Sequence, residues 1–265
     1  MEQIKLLRER TGAGIVDCKN ALTEANGDLD TAVDILRKKG IAKAAKRGDR
    51  EATEGLVKVS VDSTGTKGYI FEMNAETDFV VRNDQFKEMA AKVMTVVMEK
   101  NPATLEELLV LSIDSGTVAE SLEHMSGVIG EKIGISRYAL LQSQGTVGSY
   151  AHPQGNIGVL VSVNTSGQTE LVQNVAMHIA AANPRYLKPE EVEVAEIDRE
   201  KEIYREQLRQ ERKPEEMIEK ILMGKMNKYF EEVCLMKQEY IKDDSKKVED
   251  ILNGVEIEAF IRYSL

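Results

Sequence analysis

Two stretches of this chain repeat each other at a constant offset, and that repeat constrains the fold more than any other feature. "GLVKVSVDSTGTKGYIFEMN" (residues 55–74) aligns without a gap on "GTVGSYAHPQGNIGVLVSVN" (residues 145–164), each position matched 90 residues on. Gly55 meets Gly145, Val57 meets Val147, Gly65 meets Gly155, Gly68 meets Gly158 and Asn74 meets Asn164. Each copy reads as a strand, a glycine-containing turn and a second strand, which is a β-hairpin. A helical pattern follows each and stops at Asn101-Pro102 or Asn183-Pro184, with Met89, Val93 and Val97 answered by Leu171, Val175 and Ile179. The repeat predicts an α+β fold whose body is two related lobes, each a small antiparallel sheet backed by helices.

The copies differ in one place. From Asn74 to Asn101 is 27 positions, whereas Asn164 to Asn183 is 19, so the first lobe carries eight extra residues in or beside "AETDFVVRND". If the second copy shows what folding requires, the surplus is free to serve function, as loops on rigid scaffolds commonly do. It sets Phe79, Val80 and Val81 among Glu76, Asp78, Arg82, Asn83 and Asp84. The turn formers from Arg82 to Asp84 predict a loop that leaves regular structure. The alternative is a neutral insertion whose Phe79 folds back onto its own lobe.

The first fifty residues read as a bundle of three short helices. Ile4, Leu6 and Leu7 give one side to the first, before "TGAG" breaks it. Val16, Cys18, Ala21, Leu22 and Ala25 stripe the second; Asp28 is placed to cap the third, where Leu29, Ala32, Val33 and Leu36 recur at helical spacing. A core so thin suits docking better than catalysis. The basic run from Arg37 to Arg47 reads as a solvated helix end leading into a charged connection. Past residue 187, Ile197, Tyr204, Leu208, Ile218, Leu222, Tyr229 and Val233 recur at spacings of three, four or seven, interrupted by "ERKPEE" with Pro214 in a first-turn position. That pattern predicts a projecting helical hairpin, or short antiparallel coiled coil. The last twenty residues read as a helix, a turn at Asn253-Gly254 and a final strand. The expected units are 1–50, 51–140, 141–186 with 235–265, and the hairpin 187–234 inserted in the second lobe.

No enzyme chemistry is signalled. No stretch has the order of a phosphate-binding loop, and "GVIGEKIG" reads instead as a close helix crossing. His124, His152 and His178 lack metal-ligand spacing, so neither metal nor cofactor is expected. His178 falls in an apolar helix and reads as a core histidine. His152 precedes Pro153 in the second hairpin turn, an exposed position suited to touching a partner. A net charge of −10 argues against direct nucleic-acid binding. The charged amino terminus, short apolar runs and two distant cysteines, Cys18 and Cys234, fit a reducing cytoplasm and no membrane.

At "LRERTGAGIVDCKNALTEANGDLDTAVDILRKKG" the chain resembles the amino-terminal domain of bacterial elongation factor Ts. "NAETDFVVRNDQF", "IGVLV" and "MHIAAANPRYL" are similar to that family's motifs, in the family's order. The resemblance implies a guanine-nucleotide exchange factor for elongation factor Tu, met in its GDP-bound and nucleotide-free states. It implies that Thr77, Asp78, Phe79 and Val80 enter the partner near its magnesium site and help dislodge the ion. It implies that the amino-terminal (UBA-like) module docks on the partner's GTPase domain, with Ile15, Val16 and Lys19 at the matching contacts. Some relatives continue past the final strand into a further helical module, whereas this sequence ends at Leu265. Whether the hairpin grips elongation factor Tu or a second copy of the chain, as a homodimer, is left open by the sequence. The competing class is a scaffold or adaptor, which would bind partners without speeding nucleotide release.

Overall fold

The computed structural model describes residues 1–45 and 47–265, and the side chains of residues 41–46 are not described. The basic run 37–47 and the charged connection after it therefore lie partly outside the described residues. Three helices come first: α1 (Glu2–Thr11), α2 (Ile15–Glu24) and α3 (Leu29–Ala45). Leu7, Cys18, Ala21, Leu22, Ala32 and Leu36 close a small core between them. Gly12 turns the chain out of α1 at φ 68°, where a side chain would be strained. Asp28 Oδ1 accepts the Thr31 N–H at 2.7 Å, the cap its position predicts.

The first lobe begins with the hairpin β1 (Glu54–Val61) and β2 (Lys67–Ala75). It continues through α4 (Asp78–Arg82), α5 (Asp84–Lys100), α6 (Leu105–Leu109), a short ladder of β3 (Ser112–Ile113) and β4 (Gly116–Thr117), and α7 (Val118–Ile129). The last strand, β5 (Ile133–Gln142), pairs antiparallel with β2, giving the order β1-β2-β5. Phe71, Met73, Phe86, Val93 and Val97 lie fully buried between sheet and helices.

The second lobe repeats the plan with β6 (Thr146–Ala151), β7 (Ile157–Val163) and α8 (Thr169–Ala182). A pair of long helices then leaves it, α9 (Val194–Gln210) and α10 (Glu215–Val233). After β8 (Glu239–Tyr240), β9 (Asp243–Lys247) and α11 (Val248–Ile251), the strand β10 (Ile257–Ser264) closes the sheet in the order β10-β7-β6. The α9 and α10 helices run antiparallel, as Arg209–Glu215 (3.2 Å), Arg205–Glu219 (3.0 Å) and Tyr229–Glu196 show. Pro214 stands one residue ahead of the first turn of α10, not within it; there too it removes no helical N–H.

The repeat is visible atom by atom. Gly65 and Gly155 turn their hairpins at φ 70° and 75°, and Asn101 and Asn183 end α5 and α8 at 53° and 50°. The two hairpins meet face to face: Val57 N–H donates to Gly155 O, and Val147 N–H donates to Gly65 O, both at 2.7 Å. A Cβ on Gly68 would strike Leu160 and Val147; one on Gly158 would strike Val57 and Ile70. Those clashes are the same contact seen from either side of a pseudo-two-fold axis. Val57, Ile70, Leu141, Val147 and Leu160 form the apolar seam there. The architecture is α+β, as the repeat predicts.

Candidate partner-binding site

The surplus residues of the first lobe are spread over the strand, the connection and the helix. β2 outruns β7 by two residues, the connection 76–83 outruns 164–168 by three, and α5 outruns α8 by three. The segment is not the irregular loop expected from its turn formers: residues 78–82 form a single helical turn, α4. Asn83 explains the difference. Its side chain accepts the Gln85 N–H at 2.8 Å, so it caps α5 and the "RND" run punctuates two helices.

Successive helical residues point about 100° apart, so the two neighbours of an inward residue leave it in different directions. Val80 takes the inward position, only 7% exposed in the first-lobe core, with Val81 packed partly beside it. Phe79 points outward and is 80% exposed. It does not fold back onto its lobe. Asp78 pairs with Arg82 at 2.8 Å along the outer face. Thr77 precedes the turn in extended geometry; its N–H and hydroxyl both donate to Glu131, at 3.0 and 2.8 Å. Glu76 accepts the Lys132 N–H at 2.7 Å and pairs with Arg50 at 3.2 Å. The backbone N–H of Lys132 first, then Arg50, holds that carboxyl below its ordinary range. An apolar ring is thus presented to solvent on a braced mount.

The other expected contacts occupy separate elements. Ile15 and Val16 open α2 and are 59% and 70% exposed, while Cys18 behind them is fully buried. Lys19 is exposed on the same helix. His152 lies in the β6–β7 turn but is half-buried rather than freely exposed, because the turn uses it. Its Nδ1 accepts the Gln154 N–H at 3.3 Å, and its backbone pairs with Ile157 and Gly155.

The remaining chemistry-bearing groups are structural. His178 is fully buried; its Nδ1 accepts the Ile241 N–H (3.3 Å), leaving Nε2 to donate to Gln238 Oε1 (2.9 Å). Burial lowers its pKa and keeps it neutral. Burial pushes the Cys18 thiol up, and the Cys234 thiol up to about 11, so neither is a ready nucleophile. Among the described residues no group of three or more His, Cys, Asp or Glu could hold a metal ion, and no helix is long and apolar enough to cross a membrane.

A family profile described as Elongation factor TS matches residues 76–265, more than two thirds of the chain. The chain belongs to the elongation factor Ts family. Membership implies a nucleotide-exchange factor for elongation factor Tu in translation elongation, an activity that transfers no chemical group. The elongation factor Ts match begins at Glu76, one residue before the braced turn, and takes in both lobes' helices, the helical pair and His152. Ile15, Val16 and Lys19 stand ahead of it. Glu131 escaped the sequence reading because it lies 54 positions from Thr77, where no local pattern links them.

Proposed function

We propose that this protein speeds GDP release from elongation factor Tu by inserting the Thr77–Val80 turn beside the partner's magnesium site. The observation that carries this reading is Phe79, an aromatic 80% exposed on a turn braced from both sides. Left in water, such a ring forgoes about 2 to 3 kcal/mol that burial in a partner's apolar seam would return. Mg²⁺ bound with a nucleotide needs near-octahedral oxygen coordination, so a small shift of the elements supplying its ligands weakens it. Phe79 supplies that shift, and Asp78 brings a carboxylate toward the nucleotide's phosphates. Val80 anchors the turn and Thr77 fixes its start.

The amino-terminal module, residues 1–50, docks on the partner's GTPase domain through Ile15, Val16 and Lys19, and His152 adds a contact from the second lobe. Exchange then follows from linkage: if this protein weakens nucleotide binding by some factor, nucleotide weakens its own binding equally. Incoming nucleotide thereby releases the factor. The test is release of labelled GDP from elongation factor Tu with and without this protein. Acceleration is expected; tight binding with unchanged release would favour the adaptor reading.

A further inference from the structure

The end of α7 touches everything the proposed mechanism needs held together. Gly127 crosses Gly40 of α3 so closely that a Cβ on Gly127 would lie 2.6 Å from the Gly40 Cα. The Ser126 carbonyl accepts Arg47 Nη1 at 3.0 Å, and its hydroxyl donates to Glu131 O at 2.6 Å. Lys132 Nζ donates to the carbonyls of Gly48 and Arg50 at 2.7 and 2.8 Å. Gly130 ends α7 at φ 93°, turning Glu131 toward Thr77, whose N–H and hydroxyl both end on its carboxylate.

We propose that Glu131 is a positioning residue for exchange: it sets the angle at which the Phe79 turn leaves the lobe and fixes it to the docking module. The proposal rests on the reading that Phe79 enters the partner. A single helical turn is too short to hold itself, and its first N–H groups have no partner within it. Thr77 stands at the capping position but makes no side-chain cap; its hydroxyl is spent on Glu131. With Val80 the lone fully inward side chain of the turn, two hydrogen bonds to one carboxylate decide its remaining freedom. Glu131 touches neither nucleotide nor ion in this scheme; it acts through Thr77.

The test compares Glu131→Gln, Thr77→Val, Thr77→Ser and Phe79→Ala in GDP release from elongation factor Tu. Three quantities are read: the plateau rate at saturating factor, the half-saturating concentration, and the melting temperature of the free factor. Glu131→Gln offers one acceptor where two donors wait, and Thr77→Val removes the hydroxyl. Each is expected to lower the plateau about three- to tenfold with half-saturation within about twofold. Thr77→Ser keeps both donors and is expected to retain more of the plateau than Thr77→Val. A wild-type plateau for Glu131→Gln beside a slowed Phe79→Ala overturns the proposal, as do losses that follow melting temperature alone. Should Glu131→Gln fail to fold, the Thr77→Val and Thr77→Ser pair decides by the same criterion. An unslowed Phe79→Ala sinks the reading beneath it instead, and the two failures are told apart.

Discussion

Asp78 and Phe79 are neighbours with different physical means of action. Phe79 acts by volume and apolar area, Asp78 by charge and by its pairing with Arg82. Desolvated aromatic anchors commonly dominate an interface, so Phe79→Ala is expected to cost more than Asp78→Asn. Close charges in a partly water-excluded site interact by roughly 4 kcal/mol at about 4 Å, and desolvation offsets most of it. Asp78→Asn should therefore lose about 1 kcal/mol, or several-fold in exchange rate. The check is GDP release for both variants at equal folded concentration; a loss for Asp78→Asn as large as that for Phe79→Ala would make charge the main agent. The sequence placed Phe79 in surplus chain and left open whether it faced solvent. In the fold Val80 takes the inward position and Phe79 faces solvent.

Elements were legible where their signals were local. The glycines of both hairpins, the paired Asn stops and the stripe of the helical pair all have residue-level patterns, and each stands where it was read. The α4 turn was not, because Asn83 and Asp84 favour turns and helix starts alike, and only the Gln85 N–H shows which. "GVIGEKIG" did announce a close crossing, but only the fold shows that its partner is Gly40. Gly127→Ala should force α3 and α7 apart and destabilise the free protein by about 1 to 3 kcal/mol, read as a lowered melting temperature. An unchanged melt would mean that the crossing is loose.

At the base of the helical pair, Glu196 accepts from Tyr229 and Tyr186 and pairs with Arg185, which holds its carboxyl at about 2 against an ordinary 4.5. A depressed folded pKa contributes stability above the unfolded value, and that contribution is lost as pH falls from about 4.5 toward 2. Melting followed over that window should show a steeper acid loss for wild type than for Glu196→Gln, which lacks the titration. Parallel curves would detach Glu196 from the acid sensitivity of the fold.

For the whole molecule, the repeat foretold two lobes but not how they meet. Reciprocal bonds between Val57 and Gly155, and between Val147 and Gly65, join residues 98 and 82 positions apart, beyond any periodicity. The amino-terminal module has its own buried cluster, separate from that of the first lobe, and touches the body where α3 crosses α7. Removing residues 1–50 should leave a folded, less stable body whose affinity for elongation factor Tu falls at least about tenfold. Failure of that body to fold would merge module and lobe into one core.

If the Phe79 turn works through the partner's magnesium, the ion's concentration should govern what the ring contributes. The measurement is GDP release from elongation factor Tu at saturating factor, wild type against Phe79→Ala, across free Mg²⁺ from millimolar down to chelated. The variant is expected to lag at high Mg²⁺, and the gap to close as the ion is withdrawn, since no ion then remains to dislodge. A gap that stays the same at every Mg²⁺ concentration, or no gap at all, would contradict that role for the turn.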